Sequence, residues 1–313
     1  MLTKSSADSI GFIGLGDIGA PMAFRILEAG HALRVWNRGP GRSDAFAARG
    51  VPVAASAADL AASCDVVCLC VSNTEAVQEV VFGPGGVAAS GREGLVVLDL
   101  STTHPVRTQE MATRLAEAHR MRWVDAPVSG GPAGARAGTL AVFAGGETAD
   151  VERVRPLLMS FAGRVTHMGA NGCGMAMKAC NQILSFTNAA VAAEMLHMAA
   201  RFGIDPALVP EAIVGGFADS SFMRHYGQRL VDGTATGSTV TAVKDMDIAT
   251  DLGRSTGSPL PVTGLVASLF KLALAQGDRN SGLGAPMRLY AQGPLVARQA
   301  QSTSSKAGSP DTK

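Results

Sequence analysis

Between Gly169 and Gln182 the chain reads GANGCGMAMKACNQ. Gly169, Gly172 and Gly174 give way to an Ala-, Met- and Leu-rich run lasting to about Arg201. Such a change marks a loop opening into a long helix whose first turn has free backbone N–H groups. Lys178 lies about one turn inside that helix, and Asn181 and Gln182 follow at i+3 and i+4 on the same face. An ammonium and one or two amides on one face can hold a carbonyl or hydroxyl oxygen and exchange a proton with it. The alternative is a solvated lysine flanked by helix-tolerant amides. A second candidate is Asp125-Ala126-Pro127-Val128-Ser129-Gly130-Gly131-Pro132. A loop this rich in Gly and Pro exposes N–H groups, and Ser129 adds a hydroxyl; together they suit a carboxylate on a small substrate. The same residues also read as an ordinary hairpin turn.

A third group is Gly14-Leu15-Gly16-Asp17-Ile18-Gly19. It follows an apolar run, Ser9 to Ile13, and opens a helical pattern to Gly30, with a second strand-like run at Ala32 to Trp36. In this strand–turn–helix–strand context the three glycines are a dinucleotide fingerprint, permitting the tight turn, the approach of a pyrophosphate and close helix packing. A site for NAD usually ends the second strand with Asp or Glu for the ribose hydroxyls. Here the strand ends Val35-Trp36-Asn37-Arg38, and Arg42 follows. A carboxylate would repel a 2′-phosphate, whereas an amide and a guanidinium can bond to it. The expected cofactor is therefore NADP rather than NAD, with Asn37 and Arg38 at the phosphate.

Other chemistries find no support. The six histidines show no metal-ligand spacing, and no Ser/His/Asp or Cys/His arrangement stands out. The five cysteines, Cys64, Cys68, Cys70, Cys173 and Cys180, form no CxxC and sit mostly among apolar residues. They read as buried free thiols in a reducing compartment. A net charge of +1 offers no field for nucleic acid. The polar start MLTKSSADS does not fit a signal peptide, and no apolar stretch reaches membrane-spanning length without Gly or charge. A cytoplasmic protein is expected, with neither nucleic acid nor membrane as partner.

The elements that must position these residues follow from the apolar pattern. Val66–Val71 and Leu95–Leu100 read as buried parallel strands, each ending in small polar residues, Ser72-Asn73-Thr74 and Ser101-Thr102-Thr103. Further strands are expected at Arg122–Val124, Thr139–Gly145 and Val165–Met168, with a helix around Asp150–Ser160. Cys68 and Cys70 share one face of their strand and read as core. From Met175 on the pattern is helical: to Arg201, then Pro206–Val214, Ser221–Leu230, Thr241–Ser255, Val262–Ala275 and Pro286–Ala300. Lys244 and Asp247 are i, i+3 neighbours, with Asp251 extending the row. The fold class is α/β, a Rossmann-type doubly wound parallel-sheet domain at 1–168 followed by an all-helical domain at 169–300. Residues 301–313 read as a disordered tail.

Four blocks together resemble the β-hydroxyacid dehydrogenases, the group of 3-hydroxyisobutyrate dehydrogenase and tartronate semialdehyde reductase. They are Gly11–Gly19, Asp125–Gly131, Gly169 to Lys178, and Lys244-Asp245, and the likeness runs from about residue 10 to 295. The resemblance implies hydride transfer between NADP and a small hydroxy acid or its semialdehyde, with Lys178 as acid/base. It implies that Ser129, Gly130 and Gly131 hold the substrate carboxylate, with Asn181 or Gln182 also on the substrate. Cofactor contacts are expected from Gly14, Leu15, Gly16, Asp17, Ile18, Gly19, Asn37, Arg38, Val71, Thr102 near the nicotinamide, and Lys244. A pocket between the two domains and a homodimer or homotetramer built through the helical domain are also implied. The chain departs from the family pattern at Asp17 and Ile18, at Gln182 where many members have Asn, and at His104, which stands where an aliphatic residue is common. Two other readings stay open: an imine reductase on the same scaffold, whose members typically replace the lysine, and a cofactor-binding module without activity.

Overall fold

The structure, a computed structural model, describes residues 8–291 and 294–296. The chain packs as two units. The first runs to Gln182 and takes in Ile248–Pro259; the second comprises Ile183–Asp247 and the chain from Leu260 onward. The division falls inside a helix, fourteen residues beyond the 168/169 boundary expected from where the strand pattern stops.

In the first unit the strands are β1 Ile10–Ile13, β2 Leu33–Trp36, β3 Val66–Leu69, β4 Val96–Asp99, β5 Arg122–Asp125, β6 Val128–Ser129, β7 Leu140–Gly145 and β8 Ala162–Gly169. Its helices are α1 Gly19–Glu28, α2 Asp44–Ala47, α3 Ala57–Ala61, α4 Thr74–Phe82, α5 Pro105–His119, α6 Gly131–Ala137 and α7 Thr148–Leu158. The sheet order is β2-β1-β3-β4-β5-β7-β6, with β8 beside β7. The first five strands pair in parallel. Apolar residues on both sides of β1, β3 and β4 give the sheet two buried faces. Phe12, Val35, Cys68, Leu98 and Val124 pack on one, with α1, α6 and α7. Ile13, Val67, Leu69, Val97 and Trp123 pack on the other, with α3, α4 and α5. This is the two-sided burial that near-continuous apolar strands require.

Three points differ from the sequence expectation. The sheet is parallel only in its larger part, because β7 runs antiparallel to β5 and β6. Val128 and Ser129, expected in a loop, form β6 against Val142 and Ala141; two residues are too few for a visible period. The strand expected at Val165–Met168 starts earlier, at Ala162, and its outward residues are exposed, which hid its first half among polar positions.

Helix α8, Cys173–Phe202, leads from the first unit into the second. There follow α9 Val209–Ala212, α10 Ser221–Val231, α11 Thr239–Ser255, α12 Pro261–Ala275 and α13 Ala285–Arg288. The second unit's core joins Phe186, Ala189 and Ala190 of α8 to Met246 and Phe270, with the two phenyl rings edge to face at 5.0 Å. A further cluster packs Ala193 and Leu196 against Met223 and Leu230. The helix expected over Pro286–Ala300 ends at Arg288; Pro294 has no N–H with which to continue one. Pro206–Val214 breaks into a 3-10 turn and α9. The expected tail, 301–313, lies outside the described residues.

Helix α8 is long and apolar enough to cross a membrane by length and composition alone, though not free of Gly and charge, as the sequence reading has it. It carries Lys178 and Glu194, and its inward residues build the cores just described. Of the cysteines, Cys64 and Cys68 are buried, Cys70 and Cys173 half-buried and Cys180 exposed, so the uniform burial expected of them does not hold.

Candidate active site

The chain passes from β1 to β2 on one side and to β3 on the other, so β1 and β3 form the sheet's switch point. Ligands of open α/β sheets bind outside the strands' carboxyl ends at such a point. The glycine turn occupies it. Gly14 has φ +96°, and a Cβ there would meet the Cys70 carbonyl oxygen at 2.1 Å. A Cβ on Gly19 would stand 1.9 Å from the Gly14 carbonyl oxygen. Around Gly16, in contrast, nothing lies within 4 Å of a built Cβ. Two glycines thus close the turn and the third faces open space, where a pyrophosphate can approach. The α1 N-terminus has no side-chain cap, leaving its N–H groups for an anion. These residues fit a dinucleotide.

Asn37 fixes the turn from the end of β2: its Oδ1 accepts the Leu15 N–H at 3.0 Å, and its Nδ2 donates to the Gly39 carbonyl at 2.9 Å. Leu15 is buried, while Asp17 and Arg38 are exposed. Arg42 Nη1 lies 3.4 Å from both the Leu15 carbonyl and Asp17 Oδ1, so a guanidinium stands over the turn. Val71 packs beside Gly14, and its N–H donates to Ser101 Oγ at 3.0 Å. Thr102, next along, is half-buried.

Two carboxylates to which the sequence reading gave no role organise the next strand ends. Asp99 closes β4 and Asp125 closes β5, and both are fully buried. Asp99 accepts the Ser101 N–H at 3.0 Å and the Thr103 hydroxyl at 3.4 Å. Burial pushes the Asp99 carboxyl up to about 6, with the nearby Asp125 adding to the rise and the Ser101 bonds opposing it. Burial also raises Asp125, against the N–H groups of Gly172 and Met175 that bond to it. An Asp ending an otherwise apolar strand was the available signal for both. His104 caps α5 by its backbone; its N–H donates to Thr74 Oγ1 at 3.0 Å, and its Nδ1 is buried without a hydrogen-bond partner.

Lys178, expected on a helix face, is there and only 7% exposed. Asn181 lies close to Ser129: Ser129 Oγ is 3.4 Å from Asn181 Oδ1, and Asn181 Nδ2 donates to Gln182 Oε1 at 2.9 Å. The loop after Ser129 turns through Gly130 at φ +130° and Gly131 at φ +63°, and nothing lies within 4 Å of a Cβ built on Gly131. The structure therefore joins Ser129, Asn181 and Gln182 in one hydrogen-bonded chain three residues along the helix from Lys178. Lys244 belongs to the second unit. Its Nζ lies 3.1 Å from Asp245 Oδ1, while Asp247 pairs with Lys271 at 2.6 Å and Asp251 with Arg254 at 2.7 Å. Lys271 and Arg254 thus each bring a cation to one carboxylate of the row of Lys244, Asp247 and Asp251. Among the described residues no group of three or more His, Cys, Asp or Glu is placed to hold a metal.

A mixed sheet with a dinucleotide turn at its switch point, followed by a helical unit, defines a nicotinamide-dependent dehydrogenase architecture. Residues 9–169 match the NAD binding domain of 6-phosphogluconate dehydrogenase, and residues 172–290 match the NAD-binding region of NADP-dependent 3-hydroxyisobutyrate dehydrogenase. The chain belongs to the β-hydroxyacid dehydrogenase family of NAD(P)-dependent oxidoreductases. It is 35% identical over 270 residues to the 2-hydroxy-3-oxopropionate reductase of Escherichia coli K12, covering 86% of this chain and 92% of the relative. Among solved structures, 3-hydroxyisobutyrate dehydrogenase from Salmonella typhimurium superposes with a TM-score of 0.82 at 29% identity, over 90% of this chain and 99% of that one. Psf3 in complex with NADP+ and 2-OPP gives 0.82 at 25% identity, over 90% and 100% of the two chains.

Proposed function

We propose that the protein is an NADP-dependent oxidoreductase interconverting a small β-hydroxy acid and its semialdehyde, with Lys178 as the acid/base. The observation that carries this reading is the buried lysine one helical turn from an amide that touches Ser129. A lysine is almost never buried unless its charge is paired, so this one is held at a definite place on the helix face. In this reading Ser129 and the N–H groups of Gly130 and Gly131 hold the substrate carboxylate. Asn181 and Gln182 hold the oxygen that changes between carbonyl and hydroxyl, and Lys178 gives it a proton during reduction or takes one during oxidation. The bound nicotinamide supplies or accepts the hydride. Gly14, Gly16 and Gly19 would hold the pyrophosphate, Asn37 and Arg38 the adenosine end, and Val71, Thr102 and Lys244 the remainder. NADP is favoured over NAD because no acid ends β2, Arg38 follows it in the chain and Arg42 stands at the turn. The NADP+ complex of Psf3 agrees with that choice. Lys178 likewise favours a carbonyl over an imine substrate.

Substitution of the lysine tests the core of the proposal. Lys178→Ala should lower kcat by roughly 10²–10⁴ while NADPH binding is kept. A variant retaining more than about a tenth of wild-type kcat would remove Lys178 from the mechanism. A panel of hydroxy acids and semialdehydes, each tried with both cofactors, then identifies the substrate.

The chain is further read as a homo-oligomer. On α8, Leu184, Val191 and Met198 are exposed by 65%, 56% and 69%, and Phe202 by 86%. Spaced by seven, seven and four residues, they form one apolar stripe, and Val262 and Leu265 of α12 are exposed as well. A second copy of the chain, as dimer or tetramer, is the covering this reading assigns to them.

A further inference from the structure

We infer that Asp125 is a positioning residue for catalysis: tethered to β5, its carboxylate fixes the first turn of α8 and, through that turn, the place of Lys178. The inference rests on the acid/base reading of Lys178 given above. Oδ1 of Asp125 accepts the Gly172 N–H at 2.8 Å, and Oδ2 accepts the Met175 N–H at 3.0 Å. Both oxygens of one buried carboxylate are thus spent on the entry of the helix, and Lys178 follows Met175 by three residues. A second tether runs from Asn171 Nδ2 to the Trp123 carbonyl at 2.7 Å, and the same side chain also bonds to the Asp125 carboxylate. On the loop's far side, His167 Nε2 lies 2.9 Å from the carbonyl oxygens of both Gly146 and Gly169.

Packing leaves this entry no freedom. A Cβ on Gly174 would stand 2.4 Å from the Phe143 carbonyl oxygen and 2.7 Å from that of Asp125. A Cβ on Gly145 would stand 2.7 Å from both Asp125 Oδ2 and the Gly174 nitrogen. Helix, strand and carboxylate meet at backbone distance.

Ending a helix does not require such an arrangement. Helices α3, α4 and α10 are capped locally by Ser56, Asn73 and Ser220, the usual device. The cap of α8 comes from a strand end 47 residues before Gly172. A local cap fixes where a helix begins; a cap borrowed from the sheet also fixes where its side chains stand relative to the sheet. The sheet end that supplies it runs on through Ala126 and Pro127 into β6, which ends at Ser129. Anchor and proton donor are therefore referred to one point. The negative carboxylate also meets the positive end of the helix dipole.

The test is a double-mutant cycle in the full-length protein. Asp125→Asn keeps the shape but loses one acceptor. It should lower kcat by roughly 10- to 100-fold, the scale for a slightly misplaced catalytic group, with KM and NADPH affinity within about twofold. In single-turnover assays it should be silent in the Lys178→Ala background, since a group acting through Lys178 has nothing left to position. If Asp125→Asn lowers the residual turnover of Lys178→Ala by the factor it costs the wild type, or leaves wild-type kcat unchanged, the inference is overturned while the Lys178 reading stands. If Lys178→Ala is itself nearly fully active, both fall. Should Asp125→Asn not fold, Asn171→Ala cuts the second tether at a half-buried position, and the same pattern at smaller size is expected. Failure of that pattern in the Asn171→Ala cycle counts against the inference equally.

Discussion

At the scale of single residues, the glycine turn separates folding from binding. Gly14 and Gly19 have no room for a methyl group, while Gly16 has open space around it. Gly16→Ala should therefore leave the melting temperature of the cofactor-free protein unchanged and weaken NADPH binding by tenfold or more, about 1.4 kcal/mol. Gly14→Ala should instead destabilise the fold, since it also forces a side chain onto φ +96°. Calorimetric titration beside thermal melts distinguishes the two. At the other end of the cofactor, Arg38→Asp should shift preference towards NADH, because a carboxylate repels a 2′-phosphate and accepts ribose hydroxyls. The ratio of kcat/KM for the two cofactors reports it; a wild type that favours NADH tenfold would remove the NADP reading. These residues were legible because a turn that needs glycine and a strand end that needs or lacks an acid are local facts. Lys178 with Asn181 was legible for the same reason, since helical spacing puts them on one face. Asp125 was not. Its partners, Gly172 and Met175, are tied to it by chain folding rather than by any spacing.

At the scale of elements, the long runs were readable and the short or borrowed ones were not. Apolar stretches marked β1, β3 and β4 because strands buried on both faces leave no polar position to blur them. β6 has two residues, and it exists because β7 lies antiparallel beside it, which nothing in Val128-Ser129 announces. Helix α8 was evident from composition, but the meaning of its outer face was not. Its exposed apolar residues recur on one side of a helix whose other side its own unit packs, a spacing that would suit a partner there. If that is a second copy, light scattering should give a mass of at least twice the chain's 32.0 kDa. Val191→Glu with Met198→Glu should then reduce it to the single chain at micromolar concentration. A wild type that remains monomeric at high concentration would leave the stripe to another partner.

For the molecule as a whole, the buried carboxylates set a dependence of stability on pH. Asp99 holds its proton up to about pH 6 in the folded chain, against an ordinary value of 3.8. Between those values the folded state binds more protons than the unfolded one, so this group's contribution to stability is fully present below about pH 4. It is lost as pH rises through about 6. Asp99→Asn removes the titration. The difference in melting temperature between variant and wild type should move in the variant's favour from pH 4 to pH 7, and then level off. A constant difference across that range would mean that Asp99 stays ionised throughout.

The meeting of Asp125, Gly145 and Gly174 also bears on how the protein can be changed. Laboratory libraries aimed at new substrates spend most of their members on positions near the chemistry, without knowing which tolerate variation. Here the filled and open glycines draw that map. Gly145, Gly172 and Gly174 are closed to every other residue, since any Cβ would run into backbone, the Asp125 carboxylate or Gln109. Gly131 is open in space and restricted only by its left-handed backbone, which asparagine tolerates best after glycine. Randomisation that spares the crossing and samples Gly131 with its neighbours Ser129 and Asn181 would keep the helix where it is and vary only what it meets.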